Sequence, residues 1–402
     1  MLNAYIYDGL RTPFGRHAGE LASIRPDDLA ALVIQRLIEK TGVPGADIED
    51  VILGDTNQAG EDSRNIARHA ALLAGLPVTV PGQTINRLCA SGLGAVIDSA
   101  RAITCGEGDL YIAGGVESMS RAPFVMGKAE SAFSREAKIY DTTIGTRFPN
   151  KKITAQFGGH SMPETGDNVA VEYGIDRAKA DQFAADSQAK YQQAKQDGFF
   201  TDEITPVEVP QGKKLPPKLI CEDEHPRPSS TVDALSKLKP LFEGGVVTAG
   251  NASGINDGAA ALLIGSEQAG QKYGLKPMAK ILSAAAAGIE PRIMGAGPIE
   301  AIKKAVQRAG LTLDDLDIIE INEAFASQVL SCLKGLDISF DDPRVNPNGG
   351  AIAIGHPLGA SGARLALTVA RELQRRNKRY AVVSLCIGVG QGLAMVIENV
   401  SG

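Results

Sequence analysis

Four short stretches carry the side chains with the strongest claim to chemistry. Asn86-Arg87-Leu88-Cys89-Ala90-Ser91-Gly92 sets a cysteine where a brief extended run meets an Ala-, Ile- and Val-rich helical pattern. At a helix start, unpaired backbone N–H groups and the positive end of the macrodipole favour thiolate, which predicts a pKa below the roughly 8.5 of a free thiol. Gly355-His356-Pro357-Leu358-Gly359 places a histidine before another helix start, and a neutral imidazole can take a thiol proton. Cys386-Ile387-Gly388-Val389-Gly390-Gln391-Gly392 puts a second thiol at a strand end. That thiol can serve as a general acid or base, and Gly388 offers an exposed N–H to an oxyanion. Asn322-Glu323-Ala324-Phe325-Ala326 adds a polar pair after a strand. Each has a plainer reading: a core cysteine, a loop-stabilising histidine, an asparagine capping a helix that begins at Glu323. The glycines at 388–392 lack the dinucleotide spacing and no P-loop lysine follows them. Nucleophile, base, second thiol and oxyanion donor together make a set suited to acyl transfer.

The elements that must position these residues occur twice. Tyr5–Tyr7 reads as an opening strand followed by a loop at Gly9–Pro13. A helix runs from Pro26 to a stop at Gly42, with Leu29, Leu32, Val33, Leu37 and Ile38 as its apolar stripe. Val51–Leu53 is a buried strand, the cysteine helix follows, and Leu110–Ala113 is a strand expected to end at Gly114-Gly115. The order returns later: Pro298 opens a helix that Gly310 closes, Ile318–Ile321 is a strand, Ala360-Ser361-Gly362 opens a helix, and Tyr380–Leu385 is a strand. The offsets hardly drift: 272 for Pro26/Pro298, 268 for Gly42/Gly310 and 270 for Ala90-Ser91-Gly92/Ala360-Ser361-Gly362. The pattern predicts two duplicated α/β halves with chemistry at their junction. Between them lies a charged, loop-rich lobe with a helix at 177–196, after which Ala259–Ile264 returns as a strand of the first half. The expected division is therefore 1–121 plus 251–278 for the first half, 122–250 for the inserted lobe and 279–402 for the second half.

Composition narrows the function. A chain of 402 residues with 44% hydrophobic and 22% charged residues and 45 glycines reads as a large α/β core. A net charge of -6 gives no reason to expect nucleic acid. Five cysteines, odd in number and without a C-x-x-C pair, argue against a disulfide framework or a metal site. With no basic-then-apolar leader and no long apolar run, the expectation is a soluble, cytoplasmic protein without a membrane partner.

These residues resemble the thiolases, thioester-dependent enzymes that cleave or form 3-oxoacyl-CoA. The resemblance runs along essentially the whole chain and includes the four stretches above, Gly114-Gly115-Val116-Glu117-Ser118-Met119-Ser120, Thr248–Asp257 and Asn348-Gly349-Gly350-Ala351. It implies a five-layered αβαβα fold of two duplicated halves with an inserted loop domain that binds CoA. It also implies roles: Cys89 is acylated, His356 activates it, and Cys386 moves the α-proton of the second acyl group. Asn322 holds a water that forms one oxyanion hole with His356, and the backbone of Cys89 and Gly388 forms the other. By the same resemblance Arg227, Met162, Phe242, Ser253 and Phe325 contact CoA, which is a substrate; no tightly bound cofactor is implied. Either His160 or Ser161 stands where the close acetoacetyl-CoA thiolases carry a histidine. Val389, in place of a glycine common at that position, and Arg121–Lys128 with Ser161–Thr165 look like the 3-oxoadipyl-CoA branch, whose dicarboxylic acyl chain calls for a cation such as Arg135, Lys138 or Arg147. The rival readings are an acetyl-CoA C-acetyltransferase, a fatty-acid 3-ketoacyl-CoA thiolase, or a CoA-binding scaffold without turnover. Thiolases resembling this chain are homotetramers, dimers of dimers.

Overall fold

A computed structural model describes residues 1–400. Nine strands lie edge to edge in the order Ile318–Ile321, Tyr380–Ile387, Gln391–Glu398, Ala279–Gly288, Ala4–Arg11, Asn256–Gly265, Leu110–Ser118, Asp50–Gly54 and Gly82–Ile85, with the short Gly15–Arg16 strand beside Asn256–Gly265. The two halves of this sheet join only through three residue pairs between Ala4–Ile6 and Ala279–Ile281. Two helices, Ser91–Cys105 and Leu358–Arg375, pack against each other and against strands of both flanks. Outside, Pro26–Thr41 and Ile66–Leu73 cover one flank, and Gly297–Arg308 and Ala326–Gly335 cover the other. Helices, sheet, helices, sheet, helices make the five layers.

Local chemistry explains the elements. Pro26 opens its helix with a preset φ, Asp27 and Asp28 face the positive end, and Gly42 closes it at φ 68. Its buried Leu29, Val33 and Leu37 each contribute about 1.5–3 kcal/mol of apolar burial. The central helices are buried nearly all round, as suits a layer between two sheets. Leu88–Cys105 is the one helical window among the described residues apolar enough to match a membrane span, and it is this buried central helix.

Three expectations need correction. The first strand runs to Arg11 rather than ending in a loop at Gly9, because the Arg11 guanidinium is buried between Glu203 and Asp223, at 2.6 Å from each. The strand expected to stop at Gly114-Gly115 continues to Ser118. Those glycines mark close packing: a Cβ on Gly115 would lie 2.0 Å from the Gly359 carbonyl oxygen, and one on Gly114 2.1 Å from that of Ala260. Finally, the helix expected at Glu323 begins at Ala326 with Phe325 as its N-cap, which frees Asn322 from a capping role. In the inserted lobe the expected helix spans Arg177–Gln196, joined by Lys151–Phe157, Met162–Tyr173 and Val232–Ser236 and by two short hairpins.

Candidate active site

The site is built on the crossing of the two central helices, each following one of the sequence-predicted residues. A Cβ on Gly92 would lie 2.5 Å from the Gly359 oxygen, and one on Gly362 2.3 Å from the Leu93 nitrogen. Only hydrogen fits at both contacts, so the backbones touch and the Cys89 and His356 ends are brought together. The repeated Ala-Ser-Gly segments thus meet each other.

Cys89 sits in a tight turn. Leu88 takes a left-handed φ of 47; the Ala90 N–H donates to the Arg87 carbonyl at 3.2 Å, and the Ser91 N–H to that of Leu88 at 2.9 Å. The Ser91 hydroxyl accepts the Arg87 N–H and donates to the Leu88 carbonyl. The thiol is pushed up to about 11, chiefly by burial, while the Gly388 N–H acts in the opposite direction. The predicted lowering therefore does not hold in the resting chain. The helix proper starts two residues later, at Ser91, and removal from water outweighs its field. Cys89 is nonetheless only half-buried.

His356 is buried and strictly oriented. Its Nδ1 lies 2.6 Å from the Ser361 Oγ, whose own hydrogen is directed to the Pro357 carbonyl at 2.7 Å. Ser361 can then only accept, so the hydrogen-bond network assigns the proton to Nδ1 and leaves Nε2 unprotonated, the form that can act as a base. Burial, with Arg364 adding to it, pushes the imidazole down to about 3, which keeps it neutral. Its backbone N–H donates to Asn256 Oδ1 at 2.9 Å. Asn322 Nδ2 stands 3.4 Å from Nε2, and its Oδ1 is buried without a partner among the described residues. A buried acceptor in that state is a place for a water or a ligand donor.

Cys386 is the penultimate residue of the strand Tyr380–Ile387 and is buried. Burial first, and Cys89 next, hold its thiol well above the ordinary value. It belongs to an apolar cluster with Val247, Met294, Ala324 and Phe325, against which Met162 and Ala252 pack. The Met162 sulfur is 4.0 Å from where a Gly388 Cβ would be. Ser161 caps the helix that Met162 opens, with Glu164 returning a bond to its backbone. Ala252 also lines a cavity of about 230 Å³ with Arg227, Ser229, Ser230 and His225, and so stands between that cavity and the Cys386 cluster. The Ser253 N–H, next in the chain to Ala252, donates to the Ala324 carbonyl at 3.0 Å. Phe242 is exposed next to Leu241, whose N–H bonds the Val247 carbonyl. A larger cavity of about 340 Å³ near Tyr191, Phe200 and Cys221 holds none of the predicted site residues. Arg135, Lys138 and Arg147 do not line the cavity that holds Arg227; Lys138 lies over the Tyr140 ring.

Ser361, Asn256 and Ser91 were not singled out from sequence as site residues. The signal for the two serines was present in the duplication. Both bind a group that precedes them by four or five positions and both donate to a carbonyl of the same turn.

A duplicated α/β scaffold that gathers two thiols, a neutral imidazole and a backbone donor at its central crossing defines a thiol-dependent acyltransferase. The chain belongs to the thiolase family: residues 4–268 match the thiolase N-terminal domain and 275–399 the thiolase C-terminal domain. It is 57% identical over 402 residues, 100% of both chains, to a beta-ketoadipyl-CoA thiolase of Acinetobacter baylyi, and equally so to the 3-oxoadipyl-CoA/3-oxo-5,6-dehydrosuberyl-CoA thiolase of Escherichia coli K12. An acetyl-CoA acetyltransferase of Pseudomonas aeruginosa is 45% identical over 99% of this chain and 100% of its own. Among solved structures, the acetyl-CoA acetyltransferase of Bacillus anthracis superposes with a TM-score of 0.92 at 38% identity, covering 100% of this chain and 99% of that one. Human mitochondrial 3-ketoacyl-CoA thiolase in complex with CoA superposes at 0.91 and 38%, covering 99% and 98%.

Proposed function

We propose that this thiolase cleaves 3-oxoadipyl-CoA with CoA into succinyl-CoA and acetyl-CoA, carrying the acyl group on Cys89. The chemistry rests on one observation above all: the Gly388 N–H, two residues beyond Cys386, reaches the Cys89 sulfur, and Cys89 is close enough to help raise the Cys386 thiol. His356 takes the Cys89 proton at Nε2, and the thiolate attacks the 3-oxo carbonyl. The Cys89 and Gly388 N–H groups hold the resulting oxyanion. The C–C bond breaks, the second thioester leaves as an enolate held by Asn322, its water and His356, and the Cys386 thiol protonates it. The Cys386 thiolate then takes the proton of the CoA thiol, CoA attacks the acyl group on Cys89, and the departing Cys89 thiolate recovers its proton from the His356 imidazolium; Arg227 stands at one end of the CoA path and Met162, Ser253, Phe325 and Phe242 along it.

The substrate assignment is supported by the two full-length relatives at 57% identity named for 3-oxoadipyl-CoA or its synonym, against 45% for the acetyl-CoA acetyltransferase. A homotetramer is part of the proposal, supported by the exposed apolar side chains Phe124, Met126, Phe133 and Ile139 on one hairpin. Steady-state rates with 3-oxoadipyl-CoA, acetoacetyl-CoA and longer 3-oxoacyl-CoAs test the assignment. The expected result is a clear preference for the dicarboxylic substrate, and a preference for uncharged chains would overturn it. Mass spectrometry of the quenched enzyme is expected to find succinyl on Cys89.

A further inference from the structure

Glu117 plays no part in the chemistry above, yet it is buried near the end of the strand Leu110–Ser118, beside the helix crossing. Its carboxylate accepts three donors: the Thr56 hydroxyl at 2.8 Å, the Thr56 N–H at 3.1 Å and the Gly359 N–H at 2.9 Å. Gly359 is in the first turn of the histidine helix, whose N-cap is Pro357 and which has no side-chain cap. An anion at that end satisfies an otherwise unpaired N–H and meets the positive pole of the helix. On the other side, the Thr56 carbonyl accepts Asn86 Nδ2 at 3.2 Å, and Asn86 Oδ1 accepts the Leu88 N–H at 3.0 Å. One carboxylate therefore stands between the turn that follows His356 and the turn that carries Cys89.

We propose that Glu117 is a positioning residue that latches the His356 loop of the second half to the Cys89 loop of the first, setting the approach of base to nucleophile. The proposal rests on the assigned roles of Cys89 and His356 and goes beyond them. The latch needs the ionised carboxylate, so it is complete above about pH 7, and rates are compared at pH 8. A glutamine would keep one oxygen for the Thr56 and Gly359 N–H groups, but it brings no negative charge to the helix pole, and its amide N–H would force the Thr56 hydroxyl to turn from donor to acceptor. Aspartate, one methylene shorter, would not span the same three bonds.

The test uses the full-length enzyme with Glu117→Gln, Thr56→Val and the double variant. Thr56→Val removes one donor and keeps the backbone bond. The readouts are kcat, KM for both substrates and the rate of Cys89 alkylation by iodoacetamide, which needs no assumption about the acyl chain. Glu117→Gln is expected to lower kcat about 30-fold, because small misplacements of reacting groups cost up to two orders of magnitude. KM is expected to stay within about twofold, since the CoA path is untouched, and alkylation is expected to slow in parallel with kcat. Thr56→Val should lower kcat about threefold, the worth of one hydrogen bond, and the double variant should be no slower than Glu117→Gln alone. Near-normal kcat in both single variants, losses that multiply in the double variant, or a loss shared equally between kcat and KM would overturn the latch. Slow alkylation with normal kcat would do the same. If no acyl-CoA is turned over even by the unaltered enzyme, the proposed function fails and alkylation alone judges the latch. If Glu117→Gln does not fold, Thr56→Val decides: a threefold fall at constant KM supports it and an unchanged kcat rejects it.

Discussion

With its thiol pushed up to about 11 by burial, Cys89 is almost wholly protonated at neutral pH, and a base must remove that proton at the moment of attack. Burial and Arg364 keep His356 neutral, the form able to accept a proton, and Ser361 decides which nitrogen carries its own. His356→Ala should slow acylation of Cys89 by about 10³-fold, the usual scale of a positioned general base, as followed by mass spectrometry of quenched reactions. In that variant the alkylation rate of Cys89 should keep rising tenfold per pH unit from pH 8 to pH 10, because the thiol still lies below its pKa. A plateau in that range would show the thiol to be more acidic than its burial implies. Ser361→Ala leaves Nδ1–H without its acceptor and frees the ring to turn; kcat is expected to fall about tenfold, in line with one buried bond to a catalytic group. An unchanged kcat would mean that Asn322 and packing alone orient the ring.

The element that makes the site is the crossing of two helices, and glycines there divide into those that are needed and those that are not. A Cβ on Gly359 would meet the Val116 oxygen at 2.2 Å and the Gly54 oxygen at 2.6 Å, both backbone atoms that cannot swing away. Gly359→Ala should therefore cost about 3 kcal/mol in unfolding free energy. Gly94, in the cysteine helix, would meet only the tip of Ile85 at 3.6 Å. Gly94→Ala should stabilise the chain by about 0.5–1 kcal/mol, the ordinary gain of alanine over glycine inside a helix. Denaturant unfolding of the two variants checks both signs. The same division explains what could be read in the sequence. Pro26, Gly42 and Gly310 act on their own neighbours, so their helices were legible with nearly correct ends. Gly114 and Gly115 act on Ala260 and Gly359, far along the chain, so they were mistaken for a strand end. Cys89, His356 and Cys386 could be picked out because their side-chain types are rare here and suited to acyl transfer. Asn256 and Glu117 work through partners more than 90 positions away, and nothing in their local sequence distinguishes them from ordinary polar residues; Ser361 was marked only by its place in the repeated Ala-Ser-Gly segment.

For the whole molecule, the buried ionisable groups fall into two sets with opposite pH trends. Burial raises Glu117 to about 7 and Asp62 to about 6, and lifts Asp55 well above its usual value with Glu117 adding to it. The folded chain thus holds these protons more tightly than the unfolded chain, whose carboxyls titrate near 4. Their contribution to stability is complete below about pH 4 and is lost as pH rises through 6 to 7. His356, at about 3, and His225, at about 4, behave in the reverse sense. Their contribution is complete above about pH 6.5, the unfolded value, and is lost as pH falls toward 4 and 3. Glu117→Gln takes one member out of the first set and also removes the like charge that helps to raise Asp55. Both effects shrink the loss of stability with rising pH and leave the histidine limb alone. The variant can melt below the unaltered chain at every pH, since its hydrogen bonds are poorer. The difference between the two melting temperatures should nevertheless move in favour of the variant from pH 5 to pH 8, by about 2 °C or more. Thermal unfolding of both proteins at the two pH values measures it, and a difference that stays constant would mean that Glu117 is ionised at pH 5 in the folded chain.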